Sequence, residues 1–197
     1  MVGVIDYGMG NHSSVKHTLL RMGHRVLVSD NREVLDETDL LLLPGVGAFP
    51  KAMEQLHTRN LVHYIQQKSE EGVPVIGICL GMQLLLSESF EKGQTVGMAL
   101  IPGRVVPFND QGFHIGWNTI HCGEASGWID QIEEASFYFN HSHICDCEQE
   151  HIRCEATKGE KFPAVIKKGK TVGVQFHPEK SQQAGERLLK RLIEEII

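Results

Sequence analysis

No stretch of this 197-residue sequence approaches the ~20 consecutive apolar residues that span a bilayer, so a membrane-embedded protein is not expected. The basic start and long apolar core of a secretion signal are missing too. Met1-Val2-Gly3-Val4-Ile5-Asp6 reads instead as a first β-strand, and a cytoplasmic location is expected. There is no excess of basic charge: 19 Lys and Arg stand against 25 Asp and Glu, a formal net charge of −6. A nucleic-acid-binding face needs a basic stripe, so no nucleic-acid partner is expected, although an anionic substrate in a local basic pocket stays compatible. Repeats, linkers and low-complexity tracts are absent, and one domain over residues 1–197 is expected. Cysteine is scarce and odd in number: Cys79, Cys122, Cys145, Cys147 and Cys154. An odd count without a secretion signal argues against a disulfide framework. The neighbours His141, His143, His151 and Cys154 make a metal site near Cys145-Asp146-Cys147 conceivable. That pair has one intervening residue where a zinc knuckle has two, so a reduced, partly exposed hairpin is expected and no metal.

What is present is the alternation of an α/β protein. Residues 2–5, 25–28, 40–43 and 73–78 read as apolar strands, and residues 13–22 and 61–71 as helices stopped by Gly23 and Gly72. Continuous apolar strands alternating with helices predict a parallel sheet with helices on both faces. After about residue 95 the texture changes to short strands at 104–106, 115–120, 137–139, 152–156, 162–166 and 171–176. Lys167-Lys168-Gly169-Lys170 reads as a hairpin turn between the last two. Antiparallel strands are therefore expected to extend the parallel sheet. Ser181 is expected to cap a last helix with Ala184, Leu188, Leu192 and Ile196 on one face.

Three segments carry chemistry. Gly77-Ile78-Cys79-Leu80-Gly81 joins a buried strand to a helix, the setting of a nucleophile elbow with cysteine in place of serine. The turn lifts the sulfur above the carboxyl edge of the sheet, and the helix N-terminus favours a thiolate. In Gln175-Phe176-His177-Pro178-Glu179, His177 can act as base and acid towards that sulfur. Extended geometry puts Glu179 on the same side, where it can hold the imidazole. Pro44-Gly45-Val46-Gly47 ends another buried strand. Its glycines free backbone N–H groups to face an oxyanion, with the N–H of Leu80 as the second donor. Alone, each segment has a plainer reading: a buried cysteine in a tight turn, a surface turn, a strand end.

Together the three segments resemble the class-I (triad) glutamine amidotransferases. Ile5-Asp6-Tyr7-Gly8-Met9-Gly10-Asn11, Gly116-Trp117-Asn118 and His177-Pro178-Glu179-Lys180-Ser181 extend the likeness over the chain to the glutaminase subunits of imidazole glycerol phosphate synthase. The resemblance implies a triad of Cys79, His177 and Glu179, and an oxyanion hole at Leu80, Val46 and Gly47. It implies that Gln83, His141 and Ser142 hold the substrate glutamine. Asn11, Trp117, Tyr138 and Lys180 would lie near the interface with a (β/α)8-barrel synthase subunit, in a heterodimer. The implied reaction is glutamine hydrolysis through a thioester, needing no metal or organic cofactor. The ammonia would pass to the barrel, which makes imidazole glycerol phosphate and aminoimidazole carboxamide ribotide in histidine biosynthesis. Two places depart from the family: His143 stands where a tyrosine is usual, and Asn109-Asp110-Gln111-Gly112-Phe113 is not the usual run before His114. Trp117 and Tyr138 also read as ordinary core aromatics, and Lys180 as a solvated charge.

Other classes fit less well. An α/β-hydrolase places its acid between nucleophile and histidine, whereas Glu179 follows His177. A regulatory binding subunit has no need of a complete Cys, His, Glu set. A paralogous glutaminase subunit serving a surface-glycan sugar is the remaining alternative, since fold alone does not choose the ammonia acceptor.

Overall fold

The computed structural model describes residues 1–108, 112–123 and 135–197. The first part of the chain runs β1 (Val2–Ile5), α1 (His12–Arg21), β2 (Val26–Ser29), α2 (Arg32–Leu35), β3 (Leu40–Gly45), α3 (Phe49–Thr58), α4 (Leu61–Glu70), β4 (Val75–Cys79) and α5 (Leu80–Leu84). The second part is richer in strands: β5 (Glu88–Ser89), β6 (Thr95–Val96), β7 (Arg104–Pro107), β8 (His114–Thr119), β9 (His121–Cys122), β10 (Ser136–His141), β11 (His143–Asp146), β12 (Ile152–Lys158), β13 (Glu160–Lys168) and β14 (Thr171–Val174), closed by α6 (Gln182–Ile196).

The main sheet has the order β2-β1-β3-β4-β14-β13-β12-β9. From β2 to β14 neighbours are parallel, and β13, β12 and β9 continue the sheet antiparallel. Every residue of β1, β3, β4 and β14 is buried, which is why those strands read as unbroken apolar runs. Helices cover both faces. Val15 and Leu19 of α1 pack with Leu188, Leu192 and Ile196 of α6 on one face. Phe49 and Leu56 of α3, Leu61 and Ile65 of α4 and Met82 of α5 pack on the other. Among the described residues no helix is long and apolar enough to cross a membrane.

The structure departs from expectation in five places, the first being that β7, β8 and β10 do not extend the main sheet but lie in a two-stranded sheet β10-β8 and a four-stranded sheet β11-β7-β5-β6. The helices α2 and α3 were not legible, because the glycine- and proline-rich stretch before α3 reads as loop. In fact Pro50 lies in the first turn of α3, where its missing N–H costs nothing. Ser181 does not cap α6 through its side chain. Its hydroxyl instead donates to the His177 carbonyl (2.6 Å) and accepts from the Tyr138 N–H (2.9 Å). Cys122 and Cys154 are joined by a disulfide, although the odd cysteine count argues against a disulfide framework. They face each other in register across β9 and β12, a proximity that no spacing along the chain reveals. Lastly, Cys145 is buried on β11, which pairs with β7, so it is not part of an exposed hairpin.

Candidate active site

β4 passes into α5 with no loop between them, and Cys79 is the hinge. Its φ of 55° and ψ of −111° lie outside the regions that side chains ordinarily adopt, a strain of about 1–3 kcal/mol that the surroundings must hold. The flanking glycines explain how they do. A Cβ on Gly77 would lie 2.5 Å from the Gly81 carbonyl oxygen, and one on Gly81 would lie 1.8 Å from that of Leu43. The elbow therefore seats only with hydrogen at both positions. Gly45 is equally confined, with Gly81 N and the Tyr7 hydroxyl each 2.7 Å from where its Cβ would be.

His177 follows β14 in extended geometry (φ −102°, ψ 95°), ahead of a short 3-10 turn over Pro178–Lys180. The turn folds Glu179 back, so that His177 Nδ1 and Glu179 Oε1 are 2.8 Å apart and both side chains are almost fully buried. With Nδ1 committed to the carboxylate, Nε2 is left to serve Cys79. Burial pulls the His177 imidazolium down, but hydrogen bonds to Cys79 and Glu179 and their charges outweigh it and push the pKa up to about 10. The segment is pinned to β10: His177 N–H donates to the Tyr138 carbonyl (2.8 Å), and Ser181 bridges the same two residues.

Around the sulfur lies a cavity of about 310 Å³, lined by Val46, Gly47, Cys79, Leu80, Gln83, Glu91, Phe113, Asn140, His141, Ser142, His143 and His177. Its size suits a small polar molecule. The three residues expected around the oxyanion, Val46, Gly47 and Leu80, all border it; Gly47 has a φ of +101° and Val46 is exposed. Gln83 donates through Nε2 to the His143 carbonyl (3.1 Å) and to Gln175 Oε1 (3.2 Å), and its own oxygen has no hydrogen-bond partner among the described residues. His141 borders the cavity, yet its ring is turned inward, with Nδ1 2.9 Å from the His143 carbonyl and Nε2 3.1 Å from His114 Nδ1. Ser142 Oγ meets His143 Nδ1 at 3.1 Å.

Sequence reasoning missed Glu91, Gln175 and Phe113 as parts of this site. Glu91 sits between β5 and β6 and accepts from the N–H of Phe49 at the start of α3 (2.7 Å), which presents a carboxylate to the cavity. Of the run 109–113, residues 109–111 lie outside the described residues. Phe113, 58% exposed, borders the cavity just before β8, whose Ile115 and Trp117 are also exposed.

Three of the four residues expected at an interface come together. Trp117 meets Tyr138 edge-on with ring centroids 6.1 Å apart, and the Lys180 ammonium stands 5.8 Å from the Tyr138 centroid. Trp117 is 51% exposed and so is not a core aromatic. Asn11 immediately precedes α1, which packs against the Pro178–Lys180 turn. Of the residues considered for a metal, only His151 falls in a candidate group among the described residues, with the exposed Glu148 and Glu150.

Comparisons with known proteins agree on one family. The sequence matches the family described as glutamine amidotransferase class-I over residues 3–195. It is 40% identical over 197 residues to the imidazole glycerol phosphate synthase subunit HisH of Lactococcus lactis subsp. lactis (strain IL1403), covering 98% of each chain. It is 42% identical over 202 residues to the subunit of the same name from Geobacillus thermodenitrificans (strain NG80-2), covering 98% of this chain and 95% of that one. The fold resembles a crystal structure of a glutamine amidotransferase with a TM-score of 0.78 at 20% identity, covering 98% of this chain and 97% of that chain.

Proposed function

The chain belongs to the class-I glutamine amidotransferase family, and from that premise we propose that it is the glutaminase subunit of an imidazole glycerol phosphate synthase. The observation that carries the reading is the meeting of Cys79, His177 and Glu179 at one cavity, on a strained elbow that aims the sulfur into it.

In this reading the glutamine side-chain amide enters above Cys79. Cys79 passes its thiol proton to His177 Nε2 and its sulfur attacks the amide carbon, so that the carbonyl oxygen becomes an oxyanion facing the N–H groups of Leu80 and the Val46-Gly47 segment. The His177 imidazolium gives its Nε2 proton to the departing nitrogen, so ammonia leaves and a thioester remains. His177, now neutral, takes a proton from water as the water attacks the thioester; glutamate departs and the sulfur recovers its proton partner. Glu179 keeps Nδ1 protonated throughout. The free oxygen of Gln83 and the Glu91 carboxylate are both acceptors, fitted to the amino nitrogen and amide of glutamine, while Ser142 and His143 form the rim. No step calls for a cofactor.

The names of the similar proteins support a subunit that works with a synthase, which we take to be a (β/α)8 barrel. We place its docking face on the exposed cluster of Trp117, Tyr138 and Lys180, continued by Ile115 and Phe113 to the cavity rim, with Asn11 beside it. A barrel seated there would receive ammonia directly from the cavity. The test is Cys79→Ala in the complex with the synthase encoded beside this gene. Glutamine-dependent synthesis should vanish while synthesis from ammonium salt persists; loss of both activities would refute the division of labour. Growth of a histidine auxotroph supplied with both genes tests the acceptor, and failure from a complex that hydrolyses glutamine would move the assignment to the surface-glycan alternative.

A further inference from the structure

Gln175 is wholly buried, touches the nucleophile and has no part in the mechanism above. Its Nε2 lies 3.9 Å from Cys79 Sγ, and its Oε1 accepts from Gln83 Nε2 at 3.2 Å. Amide oxygen and nitrogen have nearly the same shape, so the orientation must be argued from partners. It can be. A backbone carbonyl only accepts. The His143 carbonyl, 3.1 Å from the Gln83 amide, therefore obliges Gln83 to turn its nitrogen that way. Both Gln83 N–H groups are then committed, one to His143 and one to Gln175, so Gln175 must accept with its oxygen. Its nitrogen is left facing the sulfur.

The far end of the chain of bonds agrees. The same His143 carbonyl lies 2.9 Å from His141 Nδ1, which must carry a proton; His141 Nε2 is then bare, and His114 Nδ1, 3.1 Å away, donates to it. His114 and His141 face each other directly across β8 and β10. Two donors thus converge on the His143 carbonyl and hold it in place. The Cys79 thiol itself donates to the Asn140 carbonyl at 3.7 Å. That contact favours the neutral thiol. Once the proton leaves, the carbonyl opposes the negative sulfur, and the Gln175 N–H is a second donor that compensates beside the His177 imidazolium.

We propose that Gln175 is a further catalytic residue, whose amide N–H stabilises the Cys79 thiolate, and that Gln83, anchored on the His143 carbonyl, is what points that N–H at the sulfur. The proposal rests on the glutaminase reading only for its consequence in turnover; the hydrogen bond itself is tested on the thiol. Iodoacetamide labelling of the purified full-length chain, with the adduct mapped to Cys79 by mass, reads the reactivity of the sulfur directly. Gln175→Glu keeps the shape and replaces the donor. Labelling at neutral pH should slow by about tenfold or more, the scale of a lost hydrogen bond to a charged group, and the pH profile of labelling should move to higher pH. Gln175→Met removes the donor without adding charge and should act in the same direction if the glutamate variant does not fold. Gln83→Met should also slow labelling, although Gln83 does not touch the sulfur. In glutamine hydrolysis, Gln175→Met should lower kcat with KM little changed. Folded Gln175 variants that label at the wild-type rate, with an unshifted profile, overturn the proposal. Wild-type protein that hydrolyses no glutamine with its synthase overturns the glutaminase reading instead, and leaves the labelling comparison intact.

Discussion

At Gly81 the backbone of α5 approaches β3 so closely that an added Cβ would sit 1.8 Å from the Leu43 carbonyl oxygen. Backbone cannot step aside as a side-chain tip can. Gly81→Ala should therefore destabilise by about 3 kcal/mol or prevent folding, the upper range for overpacking, read by urea denaturation; a loss well under 1 kcal/mol would mean the elbow is looser than described. His177 makes a second residue-scale statement. Its pKa is raised from 6.5 to about 10 in the fold. A group raised in this way contributes stability that is fully present below the unfolded value and lost as pH rises through the folded one. Wild-type Tm should fall between neutral pH and about 10, and Glu179→Gln should flatten that slope by withdrawing one source of the shift. Equal slopes in the two proteins would count against the His177–Glu179 interaction.

Among elements, the β8–β10 pair carries the opposite pH behaviour. Burial is the main reason that His141 is lowered to about 3 and His114 to about 4, and the charge of Lys158 acts on both in the same direction. A depressed pKa gives stability that is present above the unfolded value of 6.5 and is lost as pH falls through the folded one. The hydrogen bonds impose the same sign, since a protonated His141 would set N–H against N–H. Nitrogen NMR should find His141 neutral and protonated on Nδ1 well below pH 6.5, with acid unfolding led by amides of β8 and β10. An imidazolium signal from His141 in mildly acidic, folded protein would refute this. Alternation correctly marks 115–120 as extended, but nothing local pairs it with β10 rather than with the main sheet. Similarly, α3 hides because Pro50 looks like a breaker until its place in the first turn is known.

For the whole molecule, the prediction concerns assembly. Phe113, just before β8, and Ile115 and Trp117 within it expose 58%, 55% and 51% of their surface, an apolar stripe that solvent alone does not explain. Trp117→Ala should weaken binding to the synthase by about 2 kcal/mol or more, the scale of an aromatic anchor, with the Tm of the isolated chain little changed. Calorimetry of the two subunits measures it, and undiminished affinity would place the interface elsewhere. The Val46-Gly47 segment sits exposed at the cavity edge, so the free chain should hydrolyse glutamine slowly. Docking should raise the rate by ~10²–10³, the value of one oxyanion donor; full activity without a partner would exclude that form of control.

Features that depend on near neighbours can be read along the chain. Buried strands announce themselves as apolar runs, the pair Gly77 and Gly81 announces a turn that no side chain could share, and the nearness of His177 to Glu179 announces their pairing, although extended geometry was expected and a 3-10 turn closes it. These are properties of local sterics and periodicity, which any stretch of chain carries with it. Contacts between distant strands follow from the folded arrangement alone. Cys79 and Gln175 are 96 residues apart and Gln83 and His143 are 60 apart. Cys122 meets Cys154 through the register of β9 on β12, and Glu91 reaches the cavity because the start of α3 offers it an N–H. Register and layer packing arise from burying the sheet on both faces at once, a condition on the whole chain that no single segment contains.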